Sequence, residues 1–377
     1  MDIPLVRRRR PPIHLFDLNA DEQKHAVCEL GLKPFRAKQL LSHLTTHFDA
    51  DPDTWTDIAK AERAILGNEL LPPLIRADEV LRADSGTTVK TLWSLFDGSQ
   101  IESVLMRYGV KGIRASGRGS PRATVCVSSQ AGCAMNCPFC ATGQGGLQRS
   151  LSAAEILLQV FEAARALHAG ELPGGPGRLS NVVFMGMGEP LANFQNVLQA
   201  LRVITAPQPQ GFGISARNIT VSTVGLVPSI RRLAHSGMPV TLAISLHAPD
   251  DALRDKLCPI NLKIPVRQVV DAAYGYFQHT GRRVSIEYAL IKDINDQAWR
   301  ADKLGELLYK GGHSWAHVNL IPLNPTPGSI WTASRPRDEA EFIRRLDAAH
   351  VAVSLRETRG RDIDGACGQL VSARKVQ

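Results

Sequence analysis

The spacing of hydrophobic residues changes character twice along the chain. Between residues 17 and 80 apolar positions recur at helical spacing in DLNADEQKHAVCELG, KPFRAKQLLSHLTTHF and TDIAKAERAILGNEL. The first of these segments has a cap candidate at Asn19 or Asp21 and a stop at Gly31. From 81 to 125 the pattern alternates. TVKTLWSLFDGSQIESVLMRYG is split by an Asp-Gly pair at 97–98, which predicts a β-hairpin, and the Gly/Ser/Arg stretch 109–121 reads as a connector or hairpin tip. From residue 124 short apolar runs appear: TVCVSS, NVVFMGMG, NITVSTVG, VTLAISLHA, RVSIEYALI, HVNLIPL and AVSLRET. Amphipathic segments such as SAAEILLQVFEAARALHAG, NFQNVLQALRVITA and PVRQVVDAAYGYFQHTG separate them. That alternation predicts parallel βαβ units. About six such units without a Gly-rich dinucleotide fingerprint predict an α/β fold built on a partial (β/α)6 TIM-like barrel, with its chemistry at the C-terminal ends of the strands. The expected domains are a small N-terminal helical domain (1–80), a β-hairpin linker (81–125) and the barrel with a C-terminal loop (126–371).

Composition narrows this picture. The chain has 377 residues, of which 44% are hydrophobic and 21% charged, so a packed core is expected. No apolar run approaches the ~18 residues of a membrane span, and no apolar stretch follows the basic start MDIPLVRRRRPPIHLF to make a secretory signal. Seven cysteines, an odd number and unevenly clustered, argue against a secreted disulfide scaffold and for a reducing, cytoplasmic setting. The net charge is +8 and the pI about 9.2. Basic residues gather at Arg7–Arg10 and again at Arg107, Lys111, Arg114, Arg118 and Arg122. This suits a polyanionic partner, although many soluble proteins are as basic.

The candidate chemistry lies in GCAMNCPFCATG, residues 132–143, just after the first barrel strand. Cys133, Cys137 and Cys140 stand at C-x3-C-x2-C. Thiolates favour soft metals and iron–sulfur clusters, and three can hold three irons of a [4Fe–4S] cluster, leaving the fourth open. The alternative is a three-cysteine zinc site completed from afar, but no His follows at ribbon or finger spacing. In MGMGEP, at the end of the second strand, glycines permit close backbone approach. Glu189 can accept a hydrogen bond from an ammonium group, or it is a solvated Glu in an ordinary turn. Ser222, Ser245, His247 and Asn324 end predicted strands, as polar residues often do. Cys28 and Cys258 read as small buried hydrophobes, and Cys126, in an alternating strand, fits that reading too. Cys367 lies between Gly365 and Gly368, near Asp362 and Asp364, where a thiol is accessible and reactive.

The cysteine motif after a first barrel strand resembles the signature of the radical S-adenosylmethionine (SAM) superfamily, and Phe139 matches its habit of an aromatic before the last cysteine. RATVCVSSQAGCAMNCPFCATG, NVVFMGMGEPLANF, AISLHAPDDALRD, NLIPLNPTPG and RETRGRDIDGACGQL, in order from about residue 14 to 371, together resemble the RlmN family. Its members methylate C2 of adenosine in 23S rRNA, at the peptidyl-transferase centre, and in tRNA, beside the anticodon. The resemblance implies a radical SAM barrel, a [4Fe–4S] cluster on Cys133, Cys137 and Cys140, and two SAM molecules per turnover. SAM would chelate the open iron and be cleaved there to a 5′-deoxyadenosyl radical. Gly188, Glu189, Ser222, Ser245, Leu246, His247 and Asn324 match SAM-contacting positions. Cys367 matches the cysteine that carries the methyl group to the base, Cys126 the cysteine that resolves the covalent RNA adduct through a disulfide, and Glu102 a proton-accepting glutamate, whose plain alternative is a solvated hairpin residue. The helical unit matches an RNA-binding accessory domain. The electron donor would be a flavodoxin or ferredoxin, and nothing in the chain demands more than a monomer. The segment 107–122 departs from the family in being longer and rich in Gly and Arg, either for extra RNA contact or as a solvated hairpin. Two rivals stay open: the related resistance enzymes, which methylate C8 and share the same cysteines although Pro190 fits the C2 branch, and a non-catalytic RNA-binding protein with a structural metal centre, which has no use for Cys126 and Cys367.

Overall fold

A computed structural model describes residues 10–111, 121–324, 326, 329–366 and 368–370. Cys367, Arg7–Arg9 and the connector residues 112–120 lie outside the described residues. The N-terminal unit holds three helices, α1 (Ala20–Glu29), α2 (Arg36–Ser42) and α3 (Lys60–Leu70). Asn19 caps α1. Its Oδ1 accepts from the N–H groups of Asp21 and Glu22 at 3.0 and 3.1 Å, and Glu22 accepts in return from the Asn19 N–H. Gly31, at φ 75°, closes the helix. Val27 and Gln23 take the inner face of α1, which leaves Cys28 exposed and corrects its expected burial. The unit is fastened to the barrel, for Asp17 accepts from the Ala154 N–H at 2.8 Å and Thr45 donates to Pro209 O at 2.9 Å.

Strands β1 (Ile75–Ala83), β2 (Thr88–Leu95) and β3 (Gln100–Tyr108) run antiparallel. The β2–β3 turn sits at the expected Asp97-Gly98 pair, with Gly98 at φ 80°. β1 begins ahead of residue 80, where a helical unit was expected to end. It is an edge strand whose residues are mostly half-buried or exposed, so it carries little apolar alternation to read. β4 (Arg122–Cys126) pairs antiparallel with β3. Past it, β5 (Gln130–Gly132) and β6 (Leu147–Ser150) form a separate two-stranded ladder around the cysteine loop and the short helix α4 (Ala141–Gln144).

The main sheet then continues from β4 through β7 (Asn181–Phe184), β8 (Ile219–Thr223), β9 (Thr241–Ser245), β10 (Val284–Leu290), β11 (Ala316–Pro322) and β12 (Val353–Leu355), all parallel. The connections carry α5 (Ala153–His168), α6 (Phe194–Thr205), α7 (Val227–Ala234), α8 (Asp251–Leu257), α9 (Val266–Thr280), α10 (Ala298–Leu308) and α11 (Pro336–Ala348). The result is the expected partial barrel. Val125, Val182, Val221, Leu242, Ile286, Leu320 and their neighbours fill its core, each fully buried aliphatic side chain contributing about 1.5–3 kcal/mol. No helix among the described residues is long and apolar enough to cross a membrane.

Candidate active site at the mouth of the barrel

The cysteine loop is held at both ends. At its start Cys133 N–H donates to Gly146 O at 2.9 Å, across a glycine–glycine approach in which a side chain on Gly132 would strike Gly146. At its end Cys140 N–H donates to Cys137 O at 3.1 Å, and a Cβ on Gly143 would come within 2.9 Å of the Cys137 backbone. The C-terminal segment lies across it: Ala141 N–H donates to Gly368 O at 2.8 Å and Thr142 Oγ1 to Leu370 O at 2.6 Å.

Cys133, Cys137 and Cys140 line one cavity of about 170 Å³, together with Gly188, Glu189, Ser222, Ser245, His247 and Asn324. Burial pushes the free Cys133 thiol up to about 12. Among the described residues no three His, Cys, Asp or Glu side chains converge on a single metal ion. A [4Fe–4S] cluster takes one thiolate on each iron, and three thiols lining one cavity fit such a cluster with its fourth iron left open.

The loop after β7 supplies the carboxylate. Gly186 and Gly188 pack so closely on residues 127–130 that a Cβ on Gly188 would lie 2.5 Å from the Gln130 Cβ, and Gly188 adopts φ 99°. This brings Glu189 into the interior. The carboxylate accepts from Leu191 N–H at 3.1 Å and Val224 N–H at 2.9 Å, and it is 3% exposed, so it is not a solvated turn residue. Burial raises its pKa to about 7, with the Val224 N–H, the Thr223 side chain and the Leu191 N–H pulling the other way and no cationic side chain among the described residues contributing. A buried carboxylate without a cation, facing a cavity, suits a ligand ammonium group.

His247 is buried at φ 61° beside Phe139, with ring centroids 4.9 Å apart. Burial holds its pKa down to about 3, so it is neutral. Its Nδ1 accepts from Ala289 N–H at 3.0 Å, which puts its proton on Nε2. Ser222 Oγ lies 3.3 Å from Ser245 Oγ. Asn324 lines this cavity and a second one. Leu246 does not line the first cavity. Its side chain is in the core, and its N–H donates at 3.0 Å to the carbonyl of Glu287, which does line the cavity.

Cys126 and Glu102 sit elsewhere. Cys126 is buried and lines the second cavity, with Tyr108, Thr358, Gly365 and Ala366. The two cavities share Met185, Ile321, Asn324, Arg356 and Leu370. Glu102 lines neither. It is 3% exposed, pairs with the equally buried Lys90 at 2.9 Å, and is thus no solvated hairpin residue. Lys90 also donates to Asp364 O at 3.3 Å. Of the basic residues beside the connector, Arg107 is turned inward onto the carbonyls of Gly174 and Gly175, and Arg122 lies over the Tyr108 ring.

Sequence reasoning missed Arg254 and Glu287, and it read Cys258 as buried, which it is, without placing it beside Cys137. Arg254 is fully buried and donates to Leu246 O at 3.0 Å, Val224 O at 2.5 Å, Ser245 O at 3.2 Å and Asn261 Oδ1 at 2.9 Å. It ties together the ends of β8 and β9 that carry Ser222, Ser245 and the Val224 donor to Glu189. Glu287 lines the first cavity and accepts from Asn319 at 2.8 Å. On an amphipathic turn, Arg254 looks no different from a solvated arginine.

Residues 127–303 match the model of the radical SAM superfamily. The chain is 60% identical over 366 residues to a probable dual-specificity RNA methyltransferase RlmN from a Nocardioides species, covering 97% of this chain and 94% of that one. It is 58% identical over 374 residues to the same enzyme of Saccharopolyspora erythraea (98% of each chain) and 59% identical over 367 residues to that of Thermobifida fusca (97% of each). Its structure matches the crystal structure of a radical SAM methyltransferase from Sphaerobacter thermophilus with a TM-score of 0.88 at 39% identity, over 96% of this chain and all of that one. With nearly its whole length matched at such identity, and with the thiols, the buried glutamate and the histidine gathered at the mouth of a partial barrel, the chain belongs to the RlmN family of radical SAM RNA methyltransferases.

Proposed function

We propose that this enzyme methylates C2 of adenosine in 23S rRNA, at the peptidyl-transferase centre, and in tRNA, beside the anticodon, in the cytoplasm and as a monomer. The observation that carries the reading is the pair of adjoining cavities, one lined by Cys133, Cys137 and Cys140, the other by Cys126 and the segment just before Cys367. The three cysteines hold a [4Fe–4S] cluster. Glu189 takes the SAM ammonium group, and Gly188, Ser222, Ser245, the Leu246 backbone, His247 and Asn324 position the rest. Bound there, the cluster and two SAM molecules per turnover supply a methyl group and the carbon radical that activates it. One electron at a time comes from a flavodoxin or ferredoxin.

The chain's own residues do the remainder. Glu189 places a negative charge where the ammonium needs one, from a buried position on the cavity wall. The neutral His247 offers an Nε2–H donor. Cys367 carries the methyl carbon to the base; joining that carbon to C2 releases one proton, which Glu102 accepts, and one electron, which would return to the cluster. Cys126 then bonds to the Cys367 sulfur. The bond between that sulfur and carbon breaks, its electron pair stays on carbon, and a proton completes the methyl group. The resulting disulfide is reduced by thiol exchange. Domains 1–80 and 81–125 frame the entry for RNA, which basic residues grip through phosphates while the base leaves its stack.

The test uses anaerobically reconstituted enzyme with SAM, reductant and an rRNA fragment or tRNA, followed by mass spectrometry of the digested RNA. A methyl on adenine C2 is expected, and a methyl on C8 would overturn the proposal. Cys126→Ala should trap a covalent RNA adduct, and Cys367→Ala should abolish transfer.

A further inference from the structure

A fourth thiol touches the cysteine loop, and none of the roles above uses it. Cys258 is fully buried, with its sulfur 4.0 Å from Cys137 Sγ. Its backbone is fixed at the join between α8 and the turn Pro259–Leu262: the N–H donates to Arg254 O at 2.7 Å, and the carbonyl accepts from Asn261 N–H at 2.9 Å. Ala248, Leu257, Ile291 and Leu323 pack around the two sulfurs. In such an apolar shell a polar contact counts for more than it does in water.

The pairing has a direction once Cys137 binds iron. A thiolate on a metal accepts and cannot donate, while a free thiol still has its S–H. Cys258 is not needed as a ligand, because each iron takes one thiolate and Cys137 already fills its own. We infer that Cys258 donates its S–H to the metal-bound sulfur of Cys137 and thereby makes the cluster easier to reduce, acting as a positioning residue through Cys137. This rests on the reading that Cys137 holds an iron. The physical reason is charge. A hydrogen bond draws electron density from the thiolate, and the reduced cluster, one charge more negative, gains more from it than the oxidised one. The buried Arg254 guanidinium, within electrostatic reach of both sulfurs, adds positive charge.

The test compares Cys258→Ala, Cys258→Val and Cys258→Ser in the reconstituted full-length chain, by iron content and by an EPR-monitored reduction titration. Val fills the space that Ala vacates, and Ser restores a donor. All three should load as much iron as the parent. The Ala and Val variants should reduce with an equilibrium constant lower by up to about tenfold, which is about 59 mV for one electron, and Ser should recover the parent value. Unchanged potentials in Ala and Val, at full iron content, would overturn the inference while leaving Cys137 as a ligand. Iron loss in both would make Cys258 a ligand and overturn it as well. Full iron and an unchanged spectrum in Cys137→Ala would overturn the ligand reading beneath it.

Discussion

Two buried glutamates lie on opposite sides of β4, and they are neutralised in opposite ways. On the antiparallel side, Glu102 on β3 meets Lys90 on β2 at 2.9 Å, with both side chains 4% exposed. On the parallel side, Glu189 follows β7 and is met by the Val224 and Leu191 N–H groups, the neutral Thr223 side chain and a cavity, with no cationic partner among the described residues. A buried charge that has its counter-ion built in stays where it is and stiffens its surroundings. A buried charge without one waits for a cation to arrive. The seam between the two regimes is Cys126, opposite Val104 in the antiparallel ladder and Val183 in the parallel one. One half of the sheet is therefore a fixed frame beneath the C-terminal loop, and the other is a receptacle.

The receptacle can be broken most completely at its thiols. Cys133→Ala, Cys137→Ala or Cys140→Ala should lower the iron content sharply and bring RNA methylation below detection. Far-ultraviolet circular dichroism should show an intact fold, because the three substitutions leave the backbone ladders of both sheets in place. The frame breaks differently. Lys90→Met leaves Glu102 buried without its cation, at a cost of about 3–5 kcal/mol, readable as a fall in the denaturation midpoint. The double variant Lys90→Met/Glu102→Gln should recover much of that loss. If the single and double variants are equally unstable, the pair is not what stabilises the frame.

Gly188→Ala tests the receptacle's geometry with its chemistry left in place. The residue adopts φ 99°, and its new Cβ would lie 2.5 Å from that of Gln130. Strain and overlap together should cost about 2–4 kcal/mol, and the shifted loop should weaken SAM binding, measured by equilibrium dialysis.

How much of this was legible from sequence depends on how local the cause is. The capped start of α1, the Asp97-Gly98 turn and the amphipathic α5 are written in residues a few positions apart. The cysteine loop was legible because three thiols in eight residues can serve little besides a metal. Burial created by distant contacts was not legible. Glu102 read equally well as a solvated residue until β2 brought Lys90 beside it. Arg254 owes its burial to packing against strand ends; Cys258 was read as buried and is, but its contact with Cys137, more than a hundred residues away in sequence, was not legible. Cys28 failed in the other direction: helical period alone puts it one position past Val27 and out of the core. β1 was missed because an edge strand buries too little to leave a pattern.

One expected effect sharpens the contrast between the glutamates most directly, because it reads the missing cation as a dependence on pH. In the ligand-free chain the Glu189 carboxyl titrates near 7, raised from an ordinary 4.5 by burial. Between those two values the folded state keeps a proton that the unfolded state has released. Stability is therefore full below about pH 4.5, declines as pH rises and levels off above 7. The whole change is on the order of 3 kcal/mol. Glu189→Gln carries no titrating proton, so its unfolding midpoint, followed by chemical denaturation from pH 5 to 8, should lack this component of the decline. Saturating SAM should remove the same component from the parent, since an ammonium beside the carboxylate makes the charged form the favoured one. A parent and a Gln variant with the same pH profile would mean that Glu189 already has a counter-charge, and that the two halves of the sheet are not built on different principles after all.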